Sequence, residues 1–382
     1  MSRVALVRCE DYDRERVLAA VRRGIDLLGG PGAFAAPGER LLLKPNVLFG
    51  DPPERCTSTH PEVLWAVGRV FRDVAGGLSY GDSPAVYRGA AEMRRSGLAA
   101  AAESLGITPA DFDRGGEVPV PDSPFVRRIV LASGARDVDG IVSLPKMKAH
   151  ALMRMTGAVK NQFGCVPGVM KARYHMRMHT LDEFARLLVT LTRMLAPRLY
   201  VVDGIWAMEG NGPRNGDRVP MNVLVLSRDP VAVDATLCRM MALDPALVPT
   251  MGHAEAWGLG TAREDRIERV GDPLASFVRP GFRVDRRPRP SANRLHHALS
   301  PFKRLLSDRP VIDPARCTAC GLCVDVCPTE PKSLARRGPG RKAGPPLYDE
   351  RRCIRCYCCQ EVCPERAISV HRPWPGRLLD RF

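Results

Sequence analysis

Cys317-Thr318-Ala319-Cys320-Gly321-Leu322-Cys323-Val324-Asp325-Val326-Cys327-Pro328 is followed by Cys353-Ile354-Arg355-Cys356-Tyr357-Cys358-Cys359-Gln360-Glu361-Val362-Cys363-Pro364. Both stretches read C-x2-C-x2-C-x3-C-P. Three cysteines at i, i+3 and i+6 on a tight loop can wrap three irons of one cubane, and the fourth opens a helical turn that points at a second cluster. The spacing therefore predicts two 4Fe–4S clusters with exchanged fourth ligands. One would use Cys317, Cys320, Cys323 and Cys363, the other Cys353, Cys356, Cys359 and Cys327. Backbone amides of the loops can donate to the sulfurs and tune the potential.

This is the pattern of the bacterial two-cluster ferredoxins, so residues 311–371 are expected to form a small α+β ferredoxin-like domain. Zinc is the competing reading, but it takes four ligands per site, often as two separated pairs, and two such runs are an unusual way to supply them. Thirteen cysteines in a 382-residue chain do not resemble the disulfide framework of a small secreted protein. Cys358 is an extra thiol between ligands and reads as a non-ligand.

The chain is too long for this module alone, and 45 % hydrophobic residues permit a sizeable packed core. No stretch of eighteen uncharged apolar residues is present, so no membrane span is expected. Residues 1–10 alternate apolar and polar positions and do not resemble a secretion signal; a cytoplasmic location is expected. The formal charge of +15 is uneven. Residues 283–382 hold 21 Lys+Arg against 10 Asp+Glu, which is +11 and leaves +4 for residues 1–282. Residues 283–310 read as a basic linker with one short helix at 293–299, and residues 372–382 as a basic tail. No aromatic-interleaved basic motif accompanies the charge, so nucleic acid is not expected as a partner. The loop at 336–342 is a docking candidate for an acidic electron donor such as a ferredoxin or flavodoxin.

Upstream, β-rich runs alternate with amphipathic stretches. Strands are expected at 4–8, 41–44, 78–80, 126–132, 140–144, 199–202 and 222–227. Helices are expected at 14–28, 61–74, 90–105, 181–195 and 231–241. This order predicts an α/β domain over residues 1–282, a mostly parallel sheet flanked by helices. In such sheets ligands bind beyond the carboxyl ends of the strands.

Polar constellations fall at those ends. Lys44-Pro45-Asn46 follows one strand, Gly81-Asp82-Ser83 another, and Asp203-Gly204 with Met208-Glu209-Gly210-Asn211-Gly212-Pro213 a third. Thr57–Glu62 opens a helix, with Thr59 and Glu62 spaced as a capping box and His60 between them. No acid occurs between Ile141 and Lys171, yet Lys146, Lys148, His150 and Lys160 do. A solvated face would mix in carboxylates, so these four read as an anion-binding or catalytic cluster. Cys165 in Phe163-Gly164-Cys165 is a candidate nucleophile, proton donor or ligand. Lys44, Asn46, Asp82, Asn161, Asp203 and Glu209 are the candidate cofactor-binding residues.

Lys44-Pro45-Asn46, Thr57–Pro61, Leu144-Pro145-Lys146-Met147-Lys148-Ala149-His150, Thr156-Gly157-Ala158-Val159-Lys160-Asn161, Asp203-Gly204 and Met208-Glu209-Gly210 together resemble the domain of unknown function 362 family, over roughly residues 1–245. Members often carry a two-cluster ferredoxin domain. The resemblance implies this architecture and an iron–sulfur protein, without defining a reaction. The run from Lys146 through Lys171 to His175 also resembles, more faintly, the lactate racemase-like nickel-pincer family. That likeness implies a phosphate-bearing organic cofactor.

These readings converge on an iron–sulfur oxidoreductase. Two clusters would relay single electrons to an anionic small molecule held by the lysines, with His150 or His60 supplying a proton. No G-x-G-x-x-G follows a strand, which argues against direct nicotinamide use and leaves a flavin open as the further organic cofactor. The alternative is a non-enzymatic electron-transfer or maturation protein that docks on a larger redox complex.

Overall fold

The computed structural model describes residues 1–84, 89–121, 123, 125–178, 180–288, 307–338 and 344–374. The helix expected at 293–299, most of the loop at 336–342 and most of the tail lie outside the described residues.

The strands are β1 (Ser2–Arg8), β2 (Arg40–Pro45), β3 (Gly77–Tyr80), β4 (Thr108–Pro109), β5 (Gly115–Pro119), β6 (Arg128–Ala132), β7 (Gly140–Leu144), β8 (Lys146–His150), β9 (Arg154–Thr156), β10 (Leu199–Glu209), β11 (Asp217–Ser227) and β12 (Ile267–Gly271). Ten of them form one sheet in the order β12-β1-β11-β10-β7-β2-β3-β4, with β8 on β10 and β9 on β8. Pairing is parallel except where β11 meets β1 and β10 and where β9 meets β8. The expected mostly parallel sheet is observed. Central strands such as β7 are buried along their whole length, as a sheet covered on both faces requires.

Side chains sort by the two-residue strand period. Val4 and Leu6 enter one core and Ala5 and Val7 the other. Helices α1 (Arg14–Asp26), α2 (Pro61–Phe71), α3 (Gly89–Arg95) and α4 (Leu98–Glu103) cover the second face. The opposite face is covered chiefly by α6 (Ala158–Asn161), α7 (Gly168–Arg177), α8 (Leu181–Leu195), α9 (Pro230–Met240) and α10 (Pro249–Ala256), the single turn α5 (Ser133–Arg136) lying beside it. The helix start of α8 is a capping box, with the Thr180 hydroxyl and the Glu183 carboxylate each accepting from the other residue's backbone N–H.

Several sequence expectations change. The single helix at 90–105 is two, because Gly97 stands at φ +79° between α3 and α4. The strand at 126–132 is shorter and pairs with β5 in a separate hairpin. The capping box at Thr59 and Glu62 is absent: His60 is the N-cap of α2, its Nδ1 accepting from the Glu62 N–H at 3.2 Å. Thr59 instead stitches two strand ends, accepting from Asn46 N (2.8 Å) and donating to the Leu144 carbonyl (2.5 Å). β10 and β11 run eleven residues each, well beyond the short strands expected, and their far ends reach the second domain.

That domain contains β13 (Arg309–Ile312), α11 (Leu322–Asp325), β14 (Leu334–Ala335), β15 (Leu347–Tyr348), α12 (Cys358–Val362) and β16 (Ile368–His371). β13 pairs with β16 and β14 with β15, all antiparallel. Its small core holds Val324, Leu334, Val362 and Ile368, and Phe49 of the α/β domain packs into it. Among the described residues, no helix is long and apolar enough to cross a membrane.

Candidate functional site

Two cavities in the second domain are each lined by four cysteines. Cys317, Cys320, Cys323 and Cys363 share one, and Cys353, Cys356, Cys359 and Cys327 share the other. Three thiols in each come from one run and the fourth from the other run. A donor set of four thiols around an apolar pocket fits a 4Fe–4S cubane, so the residues present suit the cofactor. Hydrogen-bond donors already face the sulfurs. The N–H groups of Ala319 and Arg355 reach Cys317 Sγ and Cys353 Sγ at 3.4 Å, and Ala367 N reaches Cys363 Sγ at 3.3 Å. The hydroxyls of Thr329 and Ser333 lie 3.4 and 3.1 Å from Cys327 Sγ.

A cleft of about 410 Å³ separates this domain from the carboxyl ends of the sheet strands. Its α/β wall includes Asn46, Asp82, His150, Lys160, Asn161, Phe163, Lys171, His175 and Phe184. Its other wall includes Leu322, Val326, Cys327, Cys358, Glu361 and Val362. Volume and mixed apolar and charged lining suit a small organic molecule.

Strand β8 explains how part of that wall is presented. After Pro145 the chain continues as a strand, so Lys146, Lys148 and His150 project to one face while Met147 and Ala149 enter the core. The alternation is visible in Lys146-Met147-Lys148-Ala149-His150, though the sequence reading assigns no strand there.

The three β8 side chains have different fates. Lys146, 1 % exposed, donates to Asp203 Oδ2 at 2.8 Å and to Tyr12 Oη at 2.7 Å. Tyr12 in turn donates to Asp203 Oδ1 at 2.8 Å. The His60 ring stacks on Tyr12 with ring centroids 3.6 Å apart, and the His60 backbone N–H donates to Asp203 Oδ2. Burial pulls the His60 imidazole down to about 4. Lys146 and Asp203, with the half-buried His60, therefore form a closed cluster away from the cleft lining. Lys148 donates to Asn46 Oδ1 (2.6 Å) and the Thr57 carbonyl (2.7 Å), and burial, reinforced by Lys160 and Lys146, pulls it down to about 7.

His150 does line the cleft. Its Nδ1 accepts from the N–H groups of Leu152 and Met153, which leaves the proton of the neutral ring on Nε2. Nε2 lies 3.1 Å from Glu361 Oε1. Burial, aided by Lys160, pulls His150 down to about 4, and burial does the same to His175. Burial opposes ionisation of Glu361, but His150, Lys160 and His175 outweigh it and hold the carboxyl down to about 2. With both imidazoles neutral at pH 7, Lys160 is the charge that faces this carboxylate.

The Lys160 ammonium makes no hydrogen bond or ion pair with any described residue, and burial lowers its pKa, with Glu361 and Cys358 pulling the other way. Lys171 donates to the carbonyls of Ser83 and Pro84, and burial brings it to about 8. Below them Lys44 and Asp82 form a buried pair at 2.7 Å, and Asp82 also accepts from Val47 N. Gly164 packs so closely here that a Cβ would overlap the Asp82 carboxylate. Asn161 lines the cleft with its Nδ2 donating to Ser143 Oγ at 2.9 Å.

Two sequence candidates sit elsewhere. Cys165 is fully buried in the core, and burial pushes its thiol up to about 12, so it cannot act as a thiolate on a cleft ligand. Glu209 pairs with Arg283 at 2.9 Å at the domain seam. Sequence reasoning missed Glu361, hidden between two cysteines. It also missed the docking of the second domain. Arg214 donates to both Asp51 oxygens (3.0 and 2.9 Å) and to the Val362 carbonyl (2.8 Å), with its guanidinium 3.6 Å from the Phe49 ring. Asn215 Nδ2 donates to the Gln360 carbonyl, and Gln360 Nε2 donates back to Asn211. The Asn211–Gly212–Pro213 motif, expected near a ligand, thus holds α12 in place.

Fold and site together define an iron–sulfur protein in which a two-cluster module closes a cleft on an α/β domain. The chain belongs to the family described as a domain of unknown function, DUF362, whose model matches residues 41–239. The 4Fe-4S binding domain matches residues 310–332 and 346–369. A thylakoid-associated protein of Synechocystis sp. is 42 % identical over 263 residues, 68 % of this chain and 81 % of its own. Among solved structures, one from Thermotoga maritima aligns with 59 % of this chain and 57 % of its own at 12 % identity and a TM-score of 0.34. The lactate racemase apoprotein from Thermoanaerobacterium thermosaccharolyticum aligns with 59 % of this chain and 54 % of its own at 10 % identity and a TM-score of 0.40. This chain therefore spans little more than half the length of either solved chain.

Proposed function

We propose that this chain is an iron–sulfur oxidoreductase whose two 4Fe–4S clusters, held by the two cysteine sets, pass single electrons to an anionic small molecule in the interdomain cleft. One observation carries the reading: Cys327, a member of one cysteine set, and Lys160, an ammonium without a hydrogen-bond or ion-pair partner among the described residues, line the same cleft from opposite domains.

The charge inventory supports an anion. Lys44 cancels Asp82, and Arg336 cancels Asp325. With those two partners from just outside the lining counted, Lys44, Arg336, Lys160 and Lys171 stand against Asp82, Asp325 and Glu361, one positive charge more than the carboxylates. Phe163, Phe184, Leu322 and Val326 offer apolar cover for the rest of the molecule. His150, a cleft-lining residue whose neutral ring carries its proton on Nε2, is a proton source that a reduction could draw on. An electron donor of the ferredoxin or flavodoxin class would supply the clusters.

The test starts with protein purified without oxygen. It should carry about eight irons and eight acid-labile sulfides. Mass spectrometry of small molecules released on denaturation should find an anion, absent from Lys160→Ala protein with the same iron content. A cluster-loaded protein that releases nothing in either form supports a non-enzymatic carrier instead.

A further inference from the structure

Of the eight cysteines at the spaced positions of the two runs, Cys320 is exposed, and Cys327 lines the cleft. Both come from the first run, on either side of α11, yet they belong to different cavities. Cys320 groups with Cys317, Cys323 and Cys363, the latter two buried. Cys327 groups with Cys353, Cys356 and Cys359. The exchange of fourth ligands thus gives one set a face on solvent and the other a face on the cleft.

Cys327 has two aliphatic side-chain hydroxyls against its sulfur. Ser333 Oγ stands 3.1 Å away and Thr329 Oγ1 3.4 Å, and both residues are buried. Thr329 Oγ1 accepts from the Ser333 N–H at 2.9 Å, which directs its own O–H elsewhere, toward the sulfur. Backbone N–H groups donate on both sets, to Cys317 and Cys363 of the solvent-facing set and to Cys353 of the other, so Thr329 and Ser333 are what the cleft-facing set has in addition. Hydrogen bonds to a ligand sulfur favour the more negative, reduced state of a cluster and raise its potential.

We propose that the two cysteine sets are ordered: an electron arrives at the set containing Cys320 and leaves toward the cleft from the set containing Cys327, with Thr329 and Ser333 tuning that outlet. This rests on the reading that each set holds a 4Fe–4S cluster. A one-electron donor protein loses one electron, and the cluster at the Cys320 set gains it. The same electron then moves to the cluster at the Cys327 set, which returns the first to its oxidised state. No bond forms and no proton moves. Solvent contact also raises the potential of the Cys320 set, so the tuning concerns the outlet itself rather than the order of the two potentials.

The experiment uses the full chain, reconstituted without oxygen and titrated potentiometrically with paramagnetic resonance detection. Iron and sulfide are counted first, because a single cluster or none overturns the two-cluster reading separately. Thr329→Val and Ser333→Ala should each move one of the two signals to lower potential, by about tenfold in the reduction equilibrium or about 59 mV for one electron, and leave the other in place. Ser333→Thr should restore it. The double variant Cys317→Ser/Cys320→Ser should keep a cluster that dithionite reduces normally but that reduced ferredoxin reduces at least tenfold more slowly. Arg316→Glu, an exposed change beside Cys317 that leaves every ligand intact, should slow ferredoxin and not dithionite. Signals that both shift, or that stay put, sink the tuning role. Unslowed ferredoxin reduction in the double variant, or in Arg316→Glu should the former not fold, overturns the order.

Discussion

His150 Nε2 stands 3.1 Å from Glu361 Oε1, and this pair joins the last residue of β8 to α12 across the cleft. Two backbone N–H groups occupy the other ring nitrogen, so the imidazole is locked as the Nε2–H tautomer and anchored to the α/β wall. The Glu361 carboxylate shares the cleft lining with Lys160, where its charge competes with any incoming anion for that ammonium.

Glu361→Gln keeps the side chain's shape and removes this competitor. Binding of inorganic phosphate, measured by calorimetry on cluster-loaded protein, should tighten about tenfold, or about 1.4 kcal/mol. Lys160→Ala should weaken it by at least the same factor. Weaker phosphate binding in Glu361→Gln would mean that the carboxylate contacts the ligand instead of competing with it.

Lys146 gives the opposite contrast. It has the same side chain as Lys160 but is consumed by Asp203 and Tyr12 in the interior. Removing one partner of a buried pair leaves an uncompensated charge, at a cost of about 3–5 kcal/mol. Because Asp203 keeps its bonds from Tyr12 and His60, Lys146→Met should fall near the lower end, about 3 kcal/mol by denaturant unfolding. Phosphate affinity should not change. Lost affinity with an unmoved unfolding midpoint would return Lys146 to the ligand site.

His60 supplies a pH signature. Burial lowers its ring from 6.5 to about 4 in the folded chain. Between those values the unfolded chain binds a proton that the folded chain does not, so stability drops as the pH falls through the window, and the loss is complete below about 4. Asn at this position can still cap α2 but does not titrate. From pH 7 to pH 5 the wild type should lose up to about 2 kcal/mol relative to His60→Asn. Parallel stability curves would show that the ring protonates normally.

The strand and helix order was legible because periodicity is local: α8 occupies 181–195, where its apolar spacing placed it, and β7 occupies 140–144. The cysteine spacing carried the exchanged grouping for the same reason, since three ligands lie on one loop. The cleft was legible only by halves. Lys160 and His150 stood out against an acid-free stretch, but nothing near Glu361 indicates that it faces them, 211 residues from His150 in the chain. Lys146 and Lys160 look alike in sequence, and only the tertiary position of Asp203 separates a structural lysine from an available one. Long strands were underestimated because the outer halves of β10 and β11 carry Glu209, Asp217 and Arg218, charged residues that serve the seam between domains or lie beside it.

The seam itself makes the last prediction. Arg214 is the bolt: two bonds to Asp51, one to the Val362 carbonyl, and stacking on Phe49, all from one planar group. Lysine preserves the charge but cannot make the fork or the stack, so Arg214→Lys is not conservative at this position. Both cysteine sets lie wholly within the second domain, so iron and sulfide content should be unchanged. The cleft, built from both domains, should loosen: amide exchange should rise at least tenfold in α12 and around 211–215, and phosphate affinity should fall with it. Unchanged exchange in α12 would mean that Asn215, Gln360 and the apolar contact of Phe49 suffice to hold the domains together, and that the cleft's geometry does not depend on the arginine.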